Sequence, residues 1–580
     1  MIESIPVPLQ AILWPLVGAA IVLVAGRYLP NWMRRLLAAA AATASWLALW
    51  QLRTDDVERI AFSWEPLNLF RLSPLLAASG PALLVGLTLA GVTAICVLAI
   101  RGYEPRTSTW HGLALIALSG SLVVAMAGNL LTLALGSALI DLALIAFALS
   151  AAEPSDRTAW RMAVPGVFST LLLLFGALLM DVRLGHATLW TSSFPAEVLV
   201  LLGLAGLLRL LVYPLYPRGL DRPEAAAILL LPLGTGIYLL SQLQAATPLT
   251  FGSPWALAIG CAALLAGSFL AWTRGLHPAG TDDRKENRPG PDWIGIAVQQ
   301  TGYALAFIAL AGATPPWPLL SLTLALGGLA ILWEVSLDSR TRGAFSWPEW
   351  LTQWIVTWRD QAQAFLQERA PTVNRLGEWV AKHGMAVLLA VVLASLAGIP
   401  LTAGAVGRWS LYALLLQEGT SAALLMALIA DTMLVASLGV ALVHAFRQPA
   451  RHRPTPAALI AIVALNLLLI VLGIAPNALF QNIGMAPMEP PNVSVWGLGL
   501  IYVLPWLLGA WLARVSSRLE TYSIPARRIV GLDWLFHGAD WIGKRLAHAV
   551  GWLGLVGEGE GWWGWALVIL ALGTILFSLR

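Results

Sequence analysis

One pattern constrains this chain more than any other: apolar runs of about 20 residues recur along nearly its whole length, separated mostly by short loops. A helix of that length crosses the hydrocarbon core of a bilayer, and the runs are far too long for the strands of a barrel. Of 580 residues, 58% are hydrophobic and only 11% charged, a composition that excludes a soluble globular domain. The expected fold is therefore an all-α polytopic membrane protein with about 16 transmembrane helices. The runs fall near residues 8–26, 34–51, 75–100, 110–127, 129–150, 162–181, 195–215, 224–243, 252–273, 293–312, 316–335, 385–406, 420–445, 456–474, 495–513 and 561–578.

The loops test that count. Those after odd-numbered runs carry basic residues: Arg27, Arg34 and Arg35, then Arg101 and Arg106, and so on to Arg514, Arg518, Arg527 and Arg528. Those after even-numbered runs are mostly neutral or acidic, as in DDVE (55–58), or nearly uncharged, as at 475–494. The positive-inside bias then places the N-terminus outside. The chain is expected to be an integral multi-pass protein, with a prokaryotic inner membrane as its expected location. MIESIPVPLQ lacks the basic start of a signal peptide, so the first run is expected to be retained. The net charge of +4 is scattered over loops and points away from nucleic acid. Cys96 and Cys261, the only cysteines, both lie within apolar runs and read as small buried hydrophobes. No dinucleotide fingerprint, haem-type histidine pair or cysteine cluster occurs, so neither cofactor nor metal is expected and any redox chemistry belongs to other subunits.

Two further segments are amphipathic rather than spanning. In 346–370, Trp347, Trp350, Leu351, Trp354, Ile355, Trp358, Phe365 and Leu366 fall on one helical stripe, with a capping box at Ser346 and Glu349. Such a face suits the cytoplasmic membrane interface or a partner subunit. Residues 532–550 read the same way.

A charge deep in a span is costly and marks a functional site. Four stand out: Asp141 in the fifth run, Arg209 in the seventh, Arg408 at the break of the twelfth and Asp431 in the thirteenth. Glu224 and Asp181, near run ends, are expected to snorkel to water. The seventh run also carries Pro214 and Pro217, and the twelfth Gly398 and Pro400, so both helices should break. Arg209 precedes Pro214 by five residues, whereas Arg408 follows Pro400 by eight. Together with the opposite direction of the two runs, this order fits two inverted repeats with discontinuous helices 7 and 12.

Several of these segments resemble a known family. SLAGIPLTAGAVGRW (395–409) resembles the small-Leu-Ala-Gly-Ile-Pro-x-x-x-Gly-Phe-x-x-Lys motif of the antiporter-like membrane subunits of respiratory complex I, which are related to Mrp cation/proton antiporters. AVQQTGY (297–303), GNLLTLALGSALIDL (128–142) and RLLVYPLYPRGLDRP (209–223) resemble further segments of that family, and the likeness covers roughly residues 65–475. It implies a membrane subunit that moves protons or Na+ through a charge relay, among other membrane subunits of a respiratory-type or Mrp-type complex. The departures are as informative. Ala138 stands where the family has a glutamate, with Asp141 three residues on; Arg209 and Arg408 stand for lysines, Tyr216 for a histidine, and the lysine of span 8 has no counterpart.

Arginine does not release its proton in a protein, so Arg209 and Arg408 can hold charge, bind a carboxylate or steer water, but cannot relay protons as a buried lysine can. Arginine's longer reach suggests a re-paired Asp141–Arg209 contact. Three functions stay open: a conducting subunit driven by redox chemistry elsewhere, a non-conducting scaffold subunit, and a stand-alone secondary transporter. The expected organisation is N-terminal helices in 1–107, a first repeat in 108–245, an inverted second repeat in 246–446 with an amphipathic insertion at 338–384, and C-terminal helices in 447–580 with an amphipathic segment at 530–550.

Overall fold

The computed structural model describes residues 6–52, 59–61, 74–100, 107–150, 156–184, 194–210, 223–246, 254–275, 293–311, 317–337, 357, 371–447, 456–477 and 495–530, with five further residues between 538 and 548. Its helices are α1 (Val7–Ala25), α2 (Asn31–Gln51), α3 (Gly80–Ala99), α4 (Thr107–Ala125), α5 (Leu130–Leu149), α6 (Asp156–Leu184), α7 (Ala196–Arg209) and α8 (Pro223–Ala246). There follow α9 (Pro254–Gly275), α10 (Trp293–Ala311), α11 (Trp317–Leu337), α12 (Pro371–Ala397), α13 (Ala403–Gln417), α14 (Ser421–Arg447), α15 (Pro456–Ile474) and α16 (Val495–Val530). Among the described residues, nine helices are long and apolar enough to cross a membrane. The chain is an integral multi-pass membrane protein of all-α class.

These helices account for the first fifteen apolar runs; the sixteenth lies outside the described residues. So do Pro214 and Pro217, nearly all of 346–370 and most of 532–550. The chain divides into two units, residues 1–521 and 522–580. In the second, the Arg545 guanidinium sits 4.2 Å from the centre of the Trp541 ring.

In the first unit, α1, α2 and α4 pack together, and α5 to α8 follow as successive neighbours. α9 packs on α10 and α14, while α11 joins α3, α8 and α15. α8 is buried almost throughout, from Pro223 to Gln244, as a helix apolar on nearly every side should be. Outer faces stay apolar: Leu142, Phe168, Val200 and Leu500 are exposed, as a lipid-facing belt requires.

Without a hydrophobic drive between helices in lipid, small residues bring backbones together. α9 and α10 are paired through Gly260 against Gly302 and Gly267 against Gly295, and a methyl on any of the four would enter the facing backbone. A feature absent from the sequence reading is a short antiparallel pair, β1 (Arg59–Ala61) with β2 (Leu75–Ala77). Its second strand is tied to the chain before α5: Ala77 N donates to Met126 O and Gly128 N to Leu75 O, both at 2.7 Å. Asn129 caps α5, accepting from Thr132 N at 2.9 Å, and Thr132 Oγ1 in turn accepts from Leu75 N.

The twelfth run is two helices, divided at Gly398 and Pro400 where a break was expected. α12 stops at Ala397 in a Schellman turn: Ile399 N donates to Ala394 O, and Gly398 N to Ser395 O. Gly398 takes φ +76°, Pro400 cannot continue the helix, and Leu401 also has positive φ at +71°. α13 restarts at Ala403 after Thr402, whose hydroxyl bonds Ile399 O.

Candidate functional site

The four intramembrane charges form two separate buried centres. In the first, α5 supplies Asp141, α6 Thr170 and α7 Arg209, at 5%, 8% and 2% exposure. The guanidinium grips the carboxylate in a fork, Nη1 to Oδ1 at 3.3 Å and Nη2 to Oδ2 at 3.1 Å. Thr170 closes the triangle: its hydroxyl donates to Asp141 Oδ2 at 2.5 Å and accepts from Arg209 Nη2 at 2.9 Å.

Two glycines make this crowding feasible. A Cβ at Gly166 of α6 would lie 2.6 Å from Asp141 Oδ1, and one at Gly236 of α8 would lie 3.1 Å from Arg209 Cβ. A cavity of about 10 Å3 beside Asp141 and Arg209, walled by Leu144, Leu208, Leu229 and Pro232, has room for one water. Arg209 Nε has no hydrogen-bond partner among the described residues.

The second centre is built at the break between α12 and α13. Arg408 lies in the second turn of α13 and turns back over the end of α12. Its Nη1 donates to Ala397 O at 3.0 Å, and its Nη2 to Leu396 O. These carbonyls carry the negative end of the α12 dipole, and a cation there is favourable. Nη1 also meets Asp431 Oδ1 of α14 at 2.8 Å, with both side chains under 9% exposed. Gly398 is required twice, by its positive φ and because a Cβ there would strike Arg408 Cδ.

Asp431 is held from three sides. Besides Arg408, Gln299 Nε2 of α10 donates to Oδ1 at 3.2 Å, and the Tyr412 hydroxyl donates to Oδ2. Gln300, next along α10, donates to Leu396 O at 3.3 Å, and Tyr502 of α16 donates to Gly398 O. Gln299 Oε1 and the Tyr303 hydroxyl are buried without a hydrogen-bond partner among the described residues. Leu411, Phe307 and Leu498 pack with the three tyrosines as an apolar wall.

The structure thus brings Asp141 to Arg209 and Arg408 to Asp431, and it places Gly398 and Pro400 at the break. Sequence reasoning missed Thr170, Gln299, Tyr412 and Tyr502. Tyr412 carried a usable signal, lying four residues after Arg408 on the same helix face. Glu224 overturns one expectation: it is 6% exposed, buried in the first turn of α8 rather than snorkelling. Among the described residues, no group of three or more His, Cys, Asp and Glu is placed to hold a metal.

No protein-family model and no curated protein matches this sequence. Solved structures do share its fold. A chain of the Mrp complex from Dietzia sp. DQ12-45-1b superposes with a TM-score of 0.72 at 18% identity, covering 99% of this chain. This chain spans 63% of the length of that one. A chain of an archaeal respiratory membrane complex, the membrane-bound sulfane sulfur reductase, matches at TM-score 0.65 and 15% identity, covering 98% of this chain and 99% of the other. A chain of respiratory complex I from Thermus thermophilus matches at 0.57 and 17%, covering 87% of this chain and all of the other. The likeness is one of fold: this chain shares the polytopic, all-α fold of those chains.

Proposed function

We propose that this chain is a membrane subunit of a complex I-like or Mrp-like assembly, in which protons or Na+ move past two buried Arg–Asp centres under drive from redox chemistry in other subunits. The carrying observation is the second centre: a carboxylate and an arginine buried together where a helix is interrupted. Such a site is expensive to bury, and discontinuous helices with ionisable partners are the usual setting for intramembrane ion sites. The near-complete match to chains of multi-subunit membrane complexes supports placement among other membrane subunits. The reading takes the two centres as equivalents in two inverted repeats, 108–245 and 246–446, with the N-terminus outside a prokaryotic inner membrane.

Mechanistically, the arginines would set the field, and the carboxylates would be the groups that change partner or protonation. Asp431, bridged to Tyr412 and Gln299, has hydroxyl and amide partners to exchange for a passing ion. Asp141 has Thr170 and the water-sized cavity.

A scaffold role is the second reading, and a specific observation favours it. Both carboxylates are clasped by arginines, and α8, buried beside Arg209, contains no lysine, arginine or histidine. Purification in mild detergent, followed by identification of stably bound chains, tests membership of an assembly. Other membrane subunits should co-purify; a chain that isolates alone and transports a solute by itself would overturn the proposal.

A further inference from the structure

We propose that the end of α12 is a seat for a monovalent cation, and that Arg408 fills it as a tethered cation. The argument rests on which atoms meet the guanidinium. Leu396 O, Ala397 O and Asp431 Oδ1 all converge on it, from residues no more than 5% exposed. Two carbonyls at the negative end of a helix plus one carboxylate are hard oxygen donors, which suit Na+ or K+ rather than a softer metal.

Two more oxygens are at hand. Gln299 donates its amide nitrogen to Asp431, which leaves Oε1 buried without a partner, and the Tyr303 hydroxyl is likewise unpartnered among the described residues. Tyr303 packs in the same cluster as Tyr412 and Tyr502, which donate to Asp431 and Gly398 O. A cap that merely ended α12 would need only the carbonyls. The carboxylate from another helix completes a ring of oxygens around positive charge, closed by a side chain that stays charged at every working pH.

While Arg408 is seated, no free cation can share those carbonyls. The seat opens only if the guanidinium leaves it, so Arg408 acts as a built-in plug. This inference does not require the chain to conduct ions, because it concerns equilibrium binding.

The test is the melting temperature of the detergent-purified full chain, or its complex, carrying Arg408→Ala. Titrations use NaCl, KCl and low-millimolar guanidinium chloride, with choline chloride as the ionic-strength control. The variant should gain a saturable upward shift with Na+, K+ or guanidinium and none with choline, whereas the wild type should show no cation-specific shift. Arg408→Ala combined with Asp431→Asn should lose the response. An Arg408→Ala protein that behaves alike in all salts, or a double variant that responds as strongly, overturns the proposal. So does an Arg408→Ala chain that cannot be recovered folded in any of these salts, since cellular K+ should refill a vacant seat.

Discussion

Arg408 of α13 and Asp431 of α14 lie 2.8 Å apart, with the same guanidinium nitrogen also bonded to the last carbonyl of α12. That contact explains why a long apolar run is interrupted and followed by a permanent cation. The Gly398–Pro400 break frees the carbonyls of buried Leu396 and Ala397, and an arginine two turns further on returns to cover them. A third helix then neutralises the arginine. Each step creates the electrostatic need that the next one meets.

The two partners of the first centre should depend on each other. Asp141→Leu or Arg209→Met alone strands a buried charge and should cost roughly 3–5 kcal/mol, whereas the double substitution should cost much less. Denaturation midpoints of the four proteins, set out as a double-mutant cycle, check this. Additive single effects would mean that the fork at 3.1–3.3 Å carries no coupling.

Thr170 is predicted to matter through its hydroxyl. Thr170→Val keeps the shape but removes a donor to Asp141 and an acceptor for Arg209, at a cost of about 1–3 kcal/mol. Thr170→Ser should restore most of the loss. Equal stability of the Val and Ser variants would contradict the hydrogen-bonded triangle.

Two glycines of similar φ separate strain from crowding. Gly398 and Gly419 have φ of +76° and +65°, but a Cβ at Gly398 meets Arg408 whereas one at Gly419 meets nothing within 4 Å. Gly419→Ala should cost only the left-handed backbone term of about 1–2 kcal/mol. Gly398→Ala should cost clearly more and disturb the Arg408 centre. Similar melting shifts for both would argue against a tight Arg408–Gly398 contact.

The α9–α10 seam gives a further check. Gly267→Ala should force the two backbones apart and destabilise the fold. Gly439→Ala in α14, with open space around it, should stabilise by about 1 kcal/mol through helix propensity. A tolerated Gly267→Ala would show that the seam is looser than described.

Much of this was legible in the sequence, for definite reasons. Run lengths near the bilayer thickness set the helices, and Gly398 with Pro400 located a break because neither suits a helix interior. Asp141 and Arg209 drew attention together through the shift of an acid from position 138 to 141 and the reach of arginine. The Arg408–Asp431 partnership did not, because pairing across a loop between two helices depends on their rotation, which near-uniform apolar runs leave unspecified. Thr170 was invisible for a related reason: a membrane threonine usually bonds its own helix, as Thr88 does with Leu84 O at 2.7 Å. Glu224 misled because a run end suggests water, whereas α8 starts inside the helix cluster.

The central claim, that the buried Arg–Asp centres serve ion movement rather than architecture alone, is tested most directly by flux. The complete assembly, carrying Asp141→Leu with Arg209→Met, would be reconstituted into vesicles, and proton and Na+ uptake measured under the drive of its partner subunits. The account predicts an assembled complex whose ion uptake is abolished. Undiminished uptake from an intact complex would contradict it and leave these pairs as structural supports.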